Sequence, residues 1–387
     1  MKKKIILITL EAPIPFGGAA ARWYYILLTE LLKRGHDVSV FSAVSKKEDI
    51  QKIKEAFPNT NIKAFEFPKR SGLKAKVETL LKPYSYMFSN ELQQEINYRL
   101  LEPFDIIHLE QLWTAWLVKD HYKKVMMSVH YLTNIDLEFV KNNSFKDSLT
   151  NWLMKRTEKK LLKKMFYIKS CSNRIADKVN EWYPEKRIIS VPFAIDKKLY
   201  LFSEDDLRPA QKRITLIASM NWYPGASAAF RLLKELWPKL SELNPDCILT
   251  IVGWQAESVL SEFKKLKNVE ILENVPDIVP YFQASSLLLY APVRGSGMKI
   301  KILEAMLLGA PVVTTSEGVE GLRVTNGKEV FVAEENSELI KKADQLLNDI
   351  ELQKSMRIAA RKFIEVECSA STIVDSIEKY YSEISNN

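Results

Sequence analysis

Between residues 294 and 315 the chain reads RGSGMKIKILEAMLLGAPVVTT. Gly295 and Gly297 stand two apart, and Lys299, Lys301 and Glu304 follow before an apolar run. Glycines let a backbone approach a ligand closely. The helix that such a loop enters presents unpaired N–H groups and the positive end of its dipole. Lys301 and Glu304 are three apart and share one helix face. A carboxylate in the first turn suits two neighbouring hydroxyls, as in a ribose diol, and a lysine beside it suits a diphosphate. The same spacing also fits a first-turn glutamate that complements the dipole and pairs with a surface lysine. Spacing alone leaves both readings open.

Two further stretches carry candidate chemistry. In EAPIPFGGAAARWYYILL, Gly17 and Gly18 lie between a strand ending near Thr9 and a helix starting near Ala19. That turn suits a phosphate or carboxylate, with Arg22 one helical turn further on. A plain strand–helix turn with an exposed arginine fits the same residues. The chain has four histidines. FDIIHLEQLW places His108 and Glu110 at the end of one strand, and the VMMSVH run places His130 at the end of the next. Structural histidines fit these positions as well. No His/Cys/Asp/Glu spacing predicts a metal site, and no D-x-D metal–diphosphate motif occurs.

The elements that must position these residues alternate along the chain. Short β-rich apolar runs occur at 4–9, 37–42, 62–66, 105–108, 124–128 and 166–169, then at 214–219, 247–253, 269–272, 287–292 and 311–315. Helical patterns separate them, clearest at 19–34 and 144–165, and another closes the chain at 369–385. Such alternation predicts an α/β chain of two doubly wound parallel sheets covered by helices on both faces. The segment 196–213 is charged and aperiodic and reads as a linker. It separates a first domain, 1–195, from a second, 214–366, followed by a terminal helix at 367–387.

Composition narrows the setting. The chain has 387 residues and a formal charge of +8, unevenly spread. Residues 1–204 hold 35 Lys and Arg against 23 Asp and Glu, a net of +12, whereas the remainder is net −4. The basic half therefore faces something anionic: a membrane surface, a phosphorylated acceptor or a nucleic acid. Its most basic stretch, FKDSLTNWLMKRTEKKLLKKMFYIK, places Leu149, Trp152, Leu153, Leu161, Leu162 and Met165 at helical spacing. That pattern fits a helix lying on an anionic membrane or a core-packed helix with a solvated basic face. KRSGLKAKVETLLKPYSYMF is a second basic, aromatic stretch. Cys171, Cys247 and Cys368 form no disulfide or zinc pattern, so a reducing cytosol is expected. The opening MKKKIILITL has too short an apolar run for a secretion signal and reads as a first buried strand.

Taken together, the motifs carry a resemblance. PIPFGGAAARWYYILLTELLKRGHDVSVFS resembles the opening of GT-B glycosyltransferases. The stretch 294–315 and the TTSEGVEGL that overlaps its end resemble the donor-site signature of the retaining family-four (group 1) enzymes. IASMNWYPGASAAFRLL, TIVGW, ENVPDIVPYF, APVRGSGMKIKILEAM and RKFIEVECSAS follow in that family's order. FDIIHLEQL and VHYLTN match its acceptor-domain strand ends.

The resemblance implies two Rossmann-like domains facing a cleft, with the acceptor on the first and a nucleotide sugar mainly on the second. It implies a last helix that crosses back to the first domain. Glu304 then holds the ribose hydroxyls. Gly297, Met298 and Lys299 lie along the sugar and diphosphate, and Gly17 and Gly18 close over the diphosphate, the anion at which Arg22, by its place in the helix, can point. His130 sits beside the transferred sugar. Val275 and Asp277 lie near the base, and Asn221 faces the donor. The catalytic set is His130, Lys299, Lys301 and Glu304.

Three departures qualify the match. The family's paired glutamates stand eight apart, but the first position is Ser296, so contact to the sugar differs. The usual Arg and Lys are absent from SMNWYPG, so Lys299, Lys301 or Arg294 supplies their charge. Glu110 stands where many relatives carry a second histidine.

The expected activity is a retaining, metal-independent transfer of a sugar from a nucleotide diphosphate to a hydroxyl of a glycan or lipid-linked acceptor. No cofactor is expected. The setting is surface polysaccharide assembly, in the cytoplasm and peripherally on the inner membrane face. A non-catalytic nucleotide-sugar-binding subunit of a glycosyltransferase complex is the alternative. An epimerase of the same fold would need acidic groups at the sugar carbon, and no set of them stands out. Nucleic-acid binding would explain the charge but none of the motifs.

Overall fold

The computed structural model describes residues 2–118, 121–138, 144–202 and 211–386. It divides into two compact units, Met1–Ile195 with Ala370–Asn387, and Asp196–Ser369. The segment read as a linker, 196–213, lies partly outside the described residues.

The first unit is built on seven strands: β1 (Lys4–Thr9), β2 (Asp37–Val44), β3 (Ile62–Glu66), β4 (Ile106–Glu110), β5 (Val125–Val129), β6 (Tyr167–Ser170) and β7 (Arg187–Ser190). Their order is β3-β2-β1-β4-β5-β6-β7, parallel throughout. Helices α1 (Ala19–Lys33), α2 (Lys47–Ala56), α3 (Gly72–Leu81), α4 (Asn90–Arg99), α5 (Thr133–Asp136), α6 (Phe145–Lys164) and α7 (Asn173–Trp182) connect them. Ile5, Ile6, Leu7 and Ile8 are fully buried, as expected for a central strand covered on both faces. Strand order reverses between β1 and β4, which is where ligands bind in open parallel sheets, beyond the carboxyl ends of the strands. Gly17 and Gly18 follow the end of β1, and Glu110 is the last residue of β4.

The second unit repeats this plan with β8 (Arg213–Ile217), β9 (Ile248–Gly253), β10 (Val269–Glu273), β11 (Leu287–Tyr290), β12 (Val312–Thr314) and β13 (Phe331–Val332), in the order β10-β9-β8-β11-β12-β13. Its helices are α8 (Tyr223–Arg231), α9 (Trp237–Leu243), α10 (Ala256–Val259), α11 (Val279–Gln283), α12 (Ile300–Leu308), α13 (Asn336–Asn348) and α14 (Ile350–Glu367). Here the order reverses between β8 and β11, and the loop after β11 carries Gly295 and Gly297. Gly253 ends β9 so close to its neighbour that a Cβ would meet the Ala218 carbonyl oxygen at 1.6 Å. The glycine of TIVGW thus lets β9 run past the end of β8.

Helix α15 (Ala370–Ser385) belongs to the first unit. Ile373, Val374, Ile377, Tyr380, Tyr381 and Ile384 are buried, a stripe at helical period that covers a sheet face. Its polar edge is fixed by Arg34, whose Nη1 lies 2.6 Å from Asp375 and 2.5 Å from Glu378. Glu378 also meets His36 Nε2 at 2.6 Å.

Two strands had no expectation from the sequence. β7 has four residues and is only partly buried, and β13 has two, so neither carries a usable period. The expected apolar side of α6 also divides. Leu161, Leu162 and Met165 are buried, but Leu149 and Trp152 are exposed. All three cysteines are buried thiols outside any disulfide. No helix among the described residues is long and apolar enough to cross a membrane.

Candidate functional site

In the second unit the chemistry gathers between β11 and α12. The side chains of Thr314 and Thr315 donate to the carbonyls of Tyr290 and Pro292, at 2.5 and 3.1 Å, and so fix the end of β11. The glycine loop then folds on itself. The Gly295 N–H donates to Glu317 Oε2 at 3.1 Å. Lys299, largely buried at the N-cap of α12, donates from Nζ to the carbonyls of Gly295, at 3.2 Å, and of Gly297. Ser296 and Met298 are buried, Gly297 half-buried and Arg294 half-buried. Gly309 ends the helix in the left-handed conformation, at φ 74°, which a glycine adopts without a steric cost.

Helix α12 starts at Ile300, so Glu304 lies in the second turn rather than the first. It is also only 3% exposed, which removes the reading as a surface glutamate complementing the dipole. Its carboxylate oxygen Oε1 accepts from the Tyr200 hydroxyl at 3.0 Å. Lys301 Nζ lies 4.6 Å from the centroid of the Tyr290 ring. Burial, and then the charge of Lys299, push the Lys301 ammonium down to about 8, against the opposing pull of Glu304. Two lysines and a carboxylate are therefore electrostatic neighbours at the mouth of a glycine loop. Of the other candidates in this unit, Asn221 is exposed and accepts from the Ser219 hydroxyl at 2.6 Å. Asp277 is exposed and accepts from the Val279 N–H, just ahead of α11, at 2.9 Å, and Val275 is half-buried.

In the first unit the centre is Glu110, fully buried at the end of β4. Its carboxylate accepts from Trp23 Nε1 at 3.1 Å, from the Ser128 hydroxyl at 3.1 Å and from His130 Nε2 at 2.5 Å. His108 Nε2 lies 2.9 Å from its other side. Burial pushes the Glu110 carboxyl up, but the two histidines overrule it and hold it well below the usual carboxylate range. Burial pushes the His108 imidazolium down, against the opposing pull of Glu110, and its Nδ1 lies 2.6 Å from the Tyr381 hydroxyl. Lys169 supplies the balancing charge. It is buried inside β6, with Nζ 4.8 Å from the Trp23 ring centroid and 5.1 Å from that of Phe193. Burial lowers its ammonium while Glu110 draws it back up.

His130 follows β5 as expected, packed edge-on against Phe193 at 4.8 Å. Because its Nε2 hydrogen points at Glu110, a neutral ring offers Nδ1 as an acceptor. Gly18 is the N-cap of α1, and Arg22 is half-buried in its first turn. The structure thus groups His130 with Glu110 and His108, and groups Lys299 and Lys301 with Glu304. Lys169, Trp23, Ser128 and Tyr200 were not anticipated. Only Lys169 left a signal: a lysine interrupting the apolar strand of FYIKS. Among the described residues no group of three or more His, Cys, Asp or Glu is placed to hold a metal ion.

Comparison with known proteins bears on the fold and the class of enzyme. Residues 16–199 match the family described as Glycosyltransferase Family 4, and residues 211–349 match Glycosyl transferases group 1. An uncharacterised 44.6 kDa protein in the cps region of Klebsiella pneumoniae is 22% identical over 97% of this chain and 99% of its own. A glycosyltransferase from Rickettsia africae has the same fold, with a TM-score of 0.68 at 18% identity over the full length of both chains. Anabaena HepE, solved with UDP and glucose, superposes with a TM-score of 0.70 at 15% identity, covering 98% of this chain and all of that one. With a glycosyltransferase family model matched in each unit and the whole-chain fold shared, the protein is a glycosyltransferase of the GT-B fold.

Proposed function

We propose that this glycosyltransferase transfers a sugar from a nucleoside diphosphate to a hydroxyl of a glycan or lipid-linked acceptor, with retention at the anomeric carbon and without a metal ion. The observation that carries the reading is Glu304: a buried carboxylate on α12, below a glycine loop that brings two lysines. In this reading Glu304 accepts from the two ribose hydroxyls. The loop amides and lysines face the diphosphate and stabilise the charge that develops as it leaves. Which of Lys299, Lys301 and Arg294 bears most of that load is testable. The bond from the anomeric carbon to the diphosphate oxygen breaks, and a bond to the acceptor oxygen forms on the same face. The acceptor proton passes to the departing diphosphate, so no side-chain base is required. His130 accepts a hydrogen bond from the transferred sugar through Nδ1, its ring held by Glu110.

The Anabaena HepE structures with UDP and UDP-glucose make a uridine carrier the first to try. The Klebsiella relative from a cps region and the basic charge of residues 1–204 support a surface-polysaccharide acceptor at an anionic membrane, on its cytoplasmic side.

Loss of the Glu304 carboxylate removes hydrogen bonds from a charged acceptor, each contributing about 1.5–3 kcal/mol. Glu304→Ala should therefore weaken nucleotide-sugar binding in calorimetry by about a hundredfold. The isosteric Glu304→Gln should show the same trend with the fold kept. Unchanged affinity in both would refute the assignment.

The depressed Lys301 ammonium gives a pH signature. An anion beside it favours the protonated form, so binding should raise its pKa and take up protons near pH 8, the value it titrates around. Calorimetry in buffers of different ionisation enthalpy should show net uptake there, fading towards pH 6, and Lys301→Met should abolish it. Equal, zero uptake at both pH values would take Lys301 away from the diphosphate.

Glu110→Gln leaves Lys169 buried without its counter-charge and should cost about 3–5 kcal/mol of stability. The double variant Glu110→Gln/Lys169→Met should lose less than the sum of the single changes, by about 1–3 kcal/mol. Strict additivity in urea unfolding would mean that the two charges do not act as a pair.

A further inference from the structure

We propose that the solvent-facing sides of α3 and α6 form a docking face for an anionic lipid surface. This deepens the reading of a lipid-linked acceptor given above, and rests on it only for the choice of a membrane as partner.

The face begins in two stripes that the fold leaves uncovered. On α3, Leu73, Val77 and Leu81 recur every four residues and are all exposed, Leu73 by 77%. On α6, Phe145, Leu149 and Trp152 recur at four and three residues, with Phe145 exposed by 85% and Trp152 by 53%. The two helices pack against each other within the first unit. Single exposed apolar residues are ordinary on a protein surface. Six large ones at helical period on two adjoining helices are not, and such concentrations mark interaction sites. The core has not failed to close here. Further along the same helix, Thr157, Glu158, Leu161 and Leu162 are buried, and Glu158 receives the backbone N–H groups of Thr133 and Asn134 at 2.7 and 2.9 Å. The helix is anchored by its C-terminal half and presents its N-terminal half.

Charge identifies the occupant. Lys69, Lys76 and Lys82 are exposed in and around α3, and Lys146, Arg156, Lys159 and Lys160 along α6. The acidic groups there are few, and Glu78 is already taken by Arg70 at 3.3 Å. Arg156 lies over the Trp152 ring at 5.3 Å, a basic–aromatic pair suited to the headgroup level of a bilayer. Apolar side chains at helical period inside a basic border match a surface with acyl chains below and phosphates above. A second copy of the chain matches less well, because a two-fold contact would set this basic border against itself.

The test is co-sedimentation of the full chain with vesicles of about one part phosphatidylglycerol to two parts phosphatidylcholine, at low salt. The wild type should bind these, bind pure phosphatidylcholine far more weakly, and be released as salt rises. Leu73→Ser/Val77→Ser and Phe145→Ser/Trp152→Ser change no charge and no buried residue. Each should lower vesicle partitioning by about tenfold, with thermal stability and nucleotide-sugar binding unchanged. If both variants bind like the wild type, the face is wrong while the membrane reading stands. If the wild type binds no vesicle, both fall. Equal binding to neutral vesicles would remove the electrostatic part. Concentration-dependent self-association, lost in the variants and without vesicle binding, would assign the face to a second copy and overturn the proposal.

Discussion

A carboxylate withdrawn from water is tolerable only when its oxygens are met by hydrogen-bond donors and its charge is balanced. Glu110 imposes that condition on the first unit. Meeting it needs β4 and β5 side by side, so that Ser128 and His130 reach the carboxylate, and α1 laid across them, so that Trp23 does. It also reaches the far end of the chain. His108, placed between Glu110 and the Tyr381 hydroxyl, ties the sheet to a helix whose tyrosine lies 273 residues later in sequence. Lys169 completes the balance from β6. The ring of His130 is thereby aimed by the same interaction that joins three strands, a helix and the terminal helix. Site and scaffold are one network here, and disturbing the carboxylate would affect both.

The second unit obeys a related rule on a smaller scale. Glu304 is also a buried carboxylate, held by Tyr200 on a helix whose start is set by a loop curled around the Lys299 ammonium. That ammonium is bonded to the loop's own carbonyls. Engaging a diphosphate would therefore exchange those carbonyl bonds for phosphate ones, and the loop would be free to follow the ligand. The burial that holds Glu304 also depresses Lys301, so the positive charge at the mouth of the loop is one that an anion would reinforce.

Most of this architecture was legible in the sequence, for identifiable reasons. A strand buried on both faces must be apolar almost throughout, and ILIT, ITLI and LLLY announce themselves. Glycines at strand ends marked both turns at the points where strand order reverses. What escaped was set by tertiary context. Lys169 lies in a strand where the pattern assigns charged residues to the surface, and only the aromatic rings of Trp23 and Phe193 and the charge of Glu110 make its burial possible. Glu304 was expected one turn too early: the helix starts at Ile300 as expected, but its first turn is complete before Glu304 is reached. In α6 the helical period was real, yet period does not say what covers a face. It described Leu161 and Leu162, which are buried, and Leu149 and Trp152, which are not.

The central claim is that a nucleoside diphosphate sugar is the substrate and that its anomeric configuration survives. Proton NMR of the enzyme incubated, in the presence of a chelator, with uridine, guanosine and adenosine diphosphate sugars and a hydroxyl acceptor tests this most directly. The account predicts consumption of one donor and an anomeric signal in the product with the configuration of that donor. A product of inverted configuration, or no turnover of any donor even by slow hydrolysis, would contradict it.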